Sequence, residues 1–395
     1  MVSRDYRRAV QKASLLDSGA MATRVVIVGG GLMGLSAAFH LRRADPGAHV
    51  TVLERARVGA AASGASAAGV RAMGRDQAER ALALASLARW PGLDRELEAP
   101  TCYRRTGGLR LALDEATWRA AGPWVAEQRA DGVPVEIVDA QAACALAPGI
   151  AAACLGGVHA PIDGQAEALP ATEAFAHAAR RLGARVEEGA EARALVVEGG
   201  RVVGVERGDG AREACDVAIV AAGAWSTALL GGIGVTLPIE TRPLQMLLTA
   251  PGAPALRPVL GAFDRRLSLK QLDDGAYLIG GGWPARVTDH AGNRYEVLEE
   301  SVTASLETAR AVFPPVAECA LARSWAGLEA FTPDDLPILG PVPGVNGVLV
   351  AAGFSGHGFA LSPMIGDILA RLALGQDALE SLWKGLRYDR FGVRS

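Results

Sequence analysis

Short apolar runs alternate with helical periodicity at the start of this chain. An apolar run over 25–28 ends in Gly29-x-Gly31-x-x-Gly34, a helix-like stretch follows through 36–41, and a second apolar run over 49–53 stops at the acid Glu54. This order predicts a buried strand, a glycine turn, a helix and a second buried strand: one βαβ unit over 24–54. Further on, the pattern predicts helices over 78–93, 115–131, 169–182, 293–312 and 361–374. It predicts strands over 134–138, 184–188, 192–197, 201–206, 217–220, 242–249, 266–272, 276–279 and 348–352. Residues 103–113 read as a hairpin edge turning at Thr106-Gly107-Gly108, and 156–164 as a turn-rich passage. Asp273-Asp274-Gly275 reads as a hairpin turn.

The glycine turn carries chemistry. Gly29 permits a tight turn, Gly31 lets backbone approach a pyrophosphate, and Gly34 lets helix pack on strand. The helix N-terminus offers free N–H groups and a positive dipole end to phosphates. Glu54 lies 20 residues past Gly34, the spacing at which an acid accepts ribose hydroxyls. Residues 59–71 are almost all glycine, alanine and serine, which lets backbone lie flat against a ligand. Ala221-Ala222-Gly223-Ala224, at the end of an apolar run, has the same character.

Composition narrows the class. The chain has 395 residues, half of them apolar, and a net charge of −3, with nothing that suggests nucleic acid or an anionic membrane as its main partner. Five widely spaced cysteines without a C-x-x-C read as reduced thiols of a cytoplasmic protein, and no apolar run is long enough to predict a membrane span. Residues 1–23 are expected to form a disordered leader, with Met21 an alternative start.

Four stretches in this order resemble the D-amino-acid oxidase superfamily of FAD enzymes: Gly29–Gly34 with Glu54, Ala221–Ser226, Thr332-Pro333-Asp334 through Gly340-Pro341, and Gly353-Phe354-Ser355-Gly356-His357-Gly358-Phe359. The likeness is to its glycine oxidase, sarcosine oxidase and amino-acid dehydrogenase β-subunit branch. It implies an α/β fold: a Rossmann-like FAD-binding domain of the glutathione-reductase type, interleaved with an α+β substrate domain on a mainly antiparallel sheet. Expected boundaries are 24–95, 165–235 and 325–380 for the first, and 96–164 and 236–324 for the second. The resemblance implies non-covalent FAD held by Gly29, Gly31, Leu32, Met33, Gly34, Glu54, Arg55, Ala62, Ser63 and position 195, with 60–71 and 353–359 flanking the isoalloxazine. Helix N–H groups after Gly353–Phe359, assisted by His357, would meet the negative charge of reduced flavin.

The chain departs from that family's pattern where substrate is held. Glu329 stands where relatives carry a carboxylate-binding arginine, and Ala360 where some carry a lysine. No lysine falls on the strand after Gly280–Trp283, where those oxidases place one for oxygen, and Ser324-Trp325-Ala326-Gly327 lacks a flavin-tethering cysteine. His357, Lys270 and Glu329 are the candidate catalytic residues; Arg71, Arg242, Gln271, Tyr277 and Trp283 are further candidate substrate contacts. Lys270 and Gln271 alternate on a strand, so only one faces the site. Arg242 reads as a buttress and His159 as a surface-turn residue.

The expected activity is oxidation of a small-molecule amine or amino acid: a D-amino acid, an N-methyl amino acid, or a proline-like or hydroxyproline-like imino acid. Hydride passes to flavin N5 and the imine hydrolyses. The acceptor is expected not to be oxygen, and a homo- or hetero-oligomer is left open. The alternatives are a β-type subunit of a hetero-oligomeric dehydrogenase, a 2-hydroxy-acid dehydrogenase with His357 as base, a non-catalytic flavin binder, and an NAD-linked enzyme.

Overall fold

The computed structural model describes residues 22–376 and 379–392; the expected leader lies almost wholly outside them. The βαβ unit forms as its apolar periodicity dictates: strand Arg24–Val28, helix Leu32–Ala44, strand His49–Leu53. These strands belong to a six-stranded sheet in the order Ile338–Pro341, Val348–Ala352, Val217–Val220, Arg24–Val28, His49–Leu53, Arg185–Glu187. All neighbours are parallel except Ile338–Pro341, which runs antiparallel to Val348–Ala352. Both faces are covered, so the strands are apolar throughout rather than alternating. Val25 and Ile27 pack under the helices Leu32–Ala44, Ala168–Arg181 and Gly358–Ala373. Val26 and Val28 pack on the opposite side, against the antiparallel meander Ala192–Glu198, Arg201–Arg207, Arg212–Ala214.

The second sheet has eight strands in the order Leu321–Phe331, Glu240–Pro251, Ala276–Gly280, Ser268–Gln271, Val259–Ala262, Gly108–Ala112, Gly156–Ala160, Glu136–Asp139. It is antiparallel except where Val259–Ala262 runs parallel to Gly108–Ala112. One face carries Leu109, Leu111, Leu247, Leu260, Leu269 and Ile279, which form a core with Val312 and Phe313 at the end of helix Glu299–Val312. The other face turns toward the parallel-sheet half: Gly327 sits so close to Ala65 that a Cβ there would lie 2.6 Å from the Ala65 Cβ.

Several local expectations change. The helix expected over 78–93 runs Gln77–Leu87 and gives way to a 3-10 turn at Trp90–Gly92, where Pro91 cannot continue an α-helix. The helix expected from 293 starts at Glu299, because Arg294–Glu296 pairs with Arg286–Asp289 as a hairpin. Gly108–Ala112 is a central strand, not a hairpin edge. The passage read as turns from Gly156 contains the strand Gly156–Ala160, in which Gly157 allows its backbone to approach the Arg110 carbonyl. Residue 325, where a boundary was expected, lies inside a strand of the eight-stranded sheet; we propose that the division falls after Phe331.

Candidate cofactor cleft and the buried pair beside it

The carboxyl ends of Arg24–Val28 and Val217–Val220 open onto one cleft. A Cβ on Gly29 would overlap the Ala221 carbonyl, and one on Gly34 would overlap Gly29 O, so both close approaches require glycine. One end of the cleft is lined by Gly29, Gly31, Glu54, Arg55, Ala62, Ser63, Ala192, Arg193, Ala222, Gly223 and Trp225. It continues past Gly31, Ala62, Ser63, Ala221 and Leu328, shared by both ends, to Leu32, Met33, Ser66, Glu329, Gly353, Phe354, Gly356, Gly358 and Phe359.

The walls fit a long, flat dinucleotide. Small residues leave the width that larger side chains would fill. The Glu54 carboxylate accepts the N–H groups of Gly30 and Ala56, both at 2.8 Å, which fixes it at the strand end. Ser63 Oγ accepts the Leu32 N–H at 2.9 Å and so locks the 59–66 segment to the helix start. The Arg55 guanidinium lies 3.7 Å from the Trp225 ring centre, a flat flank at the end nearest Glu54. A hairpin from the other half crosses here: His290 O accepts from Trp225 Nε1, Ala291 O from Arg55 Nη1, and Asn293 Nδ2 donates to Ala60 O. At the far end, helix Gly358–Ala373 presents its N-terminus, with Gly358 and Phe359 lining the cleft.

The profile of the FAD dependent oxidoreductase family, DAO, matches residues 24–372. The chain belongs to that family. It is 28% identical over 353 residues to the sarcosine oxidase subunit beta of Rhodobacter capsulatus, covering 88% of this chain and 84% of that one. It is 31% identical over 371 residues to the glycine oxidase of Pseudomonas aeruginosa, covering 91% and 97%. The crystal structure of L-proline dehydrogenase from P. horikoshii superposes with a TM-score of 0.85 at 26% identity, covering 94% of this chain and 98% of that one. FAD is therefore the dinucleotide this DAO-family cleft takes.

The structure distributes the other sequence-derived candidates unevenly. Position 195 is Leu195, buried in the core beneath the meander; its neighbours Ala192 and Arg193 reach the cleft instead. Glu329 lines the cleft, and burial raises its carboxyl to about 7, against the opposing effect of the Gly356 N–H. Lys270 is 4% exposed, donates to Ala166 O at 2.7 Å, and is lowered to about 7 by burial. Gln271 points the other way and serves structure: its Oε1 accepts from Ala255 and Leu256, and its Nε2 donates to Ala253 O and Gly275 O. Tyr277 packs on Phe313, in the core on the far face. Arg242 is exposed, paired with Glu240 at 2.7 Å, and lines neither end of the cleft. His159 lies on a strand rather than a turn, with Nδ1 2.8 Å from Glu136. Trp283 keeps its Nε1 buried without a partner.

His357 has a buried neighbour that sequence reasoning missed. Its Nδ1 stands 3.2 Å from Oε2 of the fully buried Glu79, a contact not aligned as a hydrogen bond. Burial and the nearby Arg75 lower the imidazole, while Glu79 works the other way. Burial would raise Glu79, but His357 and Arg75 outweigh it and hold the carboxyl below its ordinary value. Glu79 was findable: it shares the apolar face of helix Gln77–Leu87 with Leu82, Ala83, Ser86 and Leu87, and a charge on such a face needs a reason.

Proposed function

We propose that this chain oxidises the C–H bond beside the nitrogen of an amino acid or secondary amine, in the class of D-amino acids, N-methyl amino acids and proline-like imino acids, and hands the electrons to an acceptor other than oxygen. The observation that carries this reading is Glu329, a carboxylate in an otherwise largely apolar stretch of the cofactor cleft, raised to about 7. The names of the relatives, a sarcosine oxidase subunit, a glycine oxidase and a proline dehydrogenase, support the substrate class.

Bound FAD supplies the acceptor for the hydride that leaves the substrate carbon. Glu329, ionised above pH 7, takes the N–H proton of the substrate ammonium, so that the nitrogen lone pair assists C–H cleavage. The N-terminus of Gly358–Ala373 places a positive dipole end beside the site. The imine leaves and hydrolyses in water. Cofactor attachment is non-covalent, because no cysteine lines the cleft and His159 is bonded to Glu136.

The dehydrogenase reading rests on lysine placement. Lys270 is the sole lysine among residues 22–376, and the strand Arg286–Asp289 has none. Turnover of N-methylglycine, proline and D-alanine is therefore expected with an artificial dye under nitrogen and to be at least about tenfold slower in air without dye; equal rates in air would remove this part of the proposal. If the chain works as a β-type subunit, as its sarcosine oxidase relative is named, dye turnover persists without the partner while transfer to the natural acceptor does not. A 2-hydroxy-acid activity would instead need His357 to take the O–H proton. His357→Ala would abolish that activity and only weaken amine oxidation.

A further inference from the structure

The first turns of helix Gly358–Ala373 are joined to helix Gln77–Leu87, and to the turn after it, by neutral groups. Ser86 Oγ donates to Ala360 O at 2.8 Å, Trp90 Nε1 donates to the same carbonyl at 2.9 Å, and the Trp90 and Phe359 rings stack with centres 5.3 Å apart. Glu79 brings a charge to that contact. Its side chain is 0% exposed, and among the described residues neither carboxylate oxygen has an aligned hydrogen-bond donor. A buried carboxylate without such donors is costly to keep. The charged or titratable groups beside it are Arg75 and His357.

His357 sits between Gly356 and Gly358, both of which line the cofactor cleft. The loop before it enters the left-handed region at two successive residues, Ser355 at φ 48° and Gly356 at φ 80°. A Cβ on Gly356 would meet nothing within 4 Å, so packing does not hold this residue in place. Its neighbours do. The Ser355 N–H donates to Ala330 O at 2.9 Å. His357 is tethered by its own N–H, which donates to Phe354 O at 2.7 Å, and by its ring, which stands 3.2 Å from Glu79. Between these two anchors the Gly356 N–H meets the Glu329 carboxylate and stabilises its ionised form against burial. No cation takes that part. Arg242, the cross-strand partner of Glu329, turns to Glu240 and the Phe331 ring, and no arginine or lysine lines that stretch of the cleft.

We infer that Glu79 is a positioning residue: acting through His357, it holds the Gly356 N–H on the Glu329 carboxylate and so fixes the proton acceptor of the cleft. This rests on the amine-oxidising reading above, in which Glu329 takes the proton, and adds the group that prepares it. The ionised Glu79 faces the Nδ1 edge of the imidazole and favours the tautomer with its proton there. Arg75 and Arg71, the other charged groups near the ring, oppose a second proton on it. Two routes from Glu79 to Glu329 have opposite signs. Through the loop, loss of Glu79 frees the Gly356 N–H, and Glu329 ionises at higher pH. Through space, loss of a negative charge would let Glu329 ionise at lower pH.

The test titrates the oxidised, FAD-loaded enzyme with pH, without substrate, and follows the flavin absorption. The same series is then run as kcat/KM for the amine that reduces the flavin fastest. The wild-type spectrum should show an inflection at about 7 that Glu329→Gln abolishes. In Glu79→Gln the inflection should move up by about one pH unit, and kcat/KM should fall about tenfold at pH 6 while staying within about twofold at pH 9. His357→Ala should move the inflection the same way, and the double variant no further, because Glu79 acts through that ring. An inflection that stays in place or moves down in Glu79→Gln, at wild-type melting temperature and FAD content, overturns the inference. Ser86, Trp90 and Phe359 still join the two helices in that variant. If it nonetheless fails to fold, His357→Ala decides, and an unmoved inflection there overturns the inference. A wild-type spectrum with no Glu329-dependent inflection overturns it and takes the proton-accepting role from Glu329 as well. An inflection that shifts as stated, in an enzyme that no amine reduces, supports the positioning role and removes the amine-oxidising function alone.

Discussion

Glu329, partly buried in the cleft wall, and the buried Lys270 are raised and lowered respectively to about 7, and they make opposite predictions. Glu329 can accept a proton only when ionised, so kcat/KM for amines should rise with pH through about 7. Glu329→Gln should remove that limb and cost about a hundredfold at pH 8; a variant that keeps the limb would take the proton-accepting role away from Glu329. Lys270 donates to a backbone carbonyl and lines neither end of the cofactor cleft. In the unfolded chain its pKa is near 10.5, while in the folded protein burial lowers it to about 7. Between those values the unfolded chain binds the extra proton, so this lysine makes stability rise with pH from 7 to 10.5 and be lost as pH falls toward 7. Lys270→Met should flatten the melting temperature over that window and raise it at pH 7. An unchanged slope would mean that Lys270 stays charged when folded.

At the scale of elements, two contacts join parts of the chain that are far apart in sequence. Helix Leu32–Ala44 crosses Gly358–Ala373 so closely that a Cβ on Gly366 would overlap Ser36, whose Oγ donates to Ser362 O at 2.8 Å. Gly366→Val is expected to destabilise the protein by about 1–3 kcal/mol, read by denaturant melting; a variant as stable as wild type would contradict the close crossing. The hairpin Arg286–Asp289 with Arg294–Glu296 reaches from the eight-stranded sheet to Trp225 and Arg55. Trp225→Ala removes the ring under Arg55 and the anchor on His290, and should raise the FAD dissociation constant by about tenfold. Unchanged FAD retention would place the cofactor's adenine end elsewhere. The βαβ unit was legible because Val25–Val28, Gly29–Gly34 and Glu54 are local and periodic. The hairpin was not, because 286–296 is polar and short, and its pairing is decided by contacts with residues more than 60 positions away. Gly156–Ala160 read as turns for a related reason: its glycines serve close sheet packing, which looks like turn chemistry until Arg110 is placed across from them.

At the scale of the whole molecule, the site is assembled from both ends of the chain and from both sheets. The glycine turn, the Gly223 segment and the Gly353–Phe359 loop were legible as one cofactor cleft only through their joint resemblance to the D-amino-acid oxidase family; small residues at strand ends alone marked each as a place where backbone can approach a ligand. The buried Glu79 beside His357 was not legible as its neighbour, because a helix face and a loop far apart in sequence carry no shared motif. Their roles depend on burial and on partners that only folding supplies. The central claim is that this assembled cleft holds FAD where the C–H bond of an amine can reach it. Anaerobic mixing of the yellow enzyme with N-methyl amino acids, proline, D-amino acids and 2-hydroxy acids tests it most directly. At least one amine should bleach the flavin absorbance stoichiometrically while the hydroxy acids leave it intact; bleaching by a hydroxy acid alone, or by no member of the set, would contradict the account.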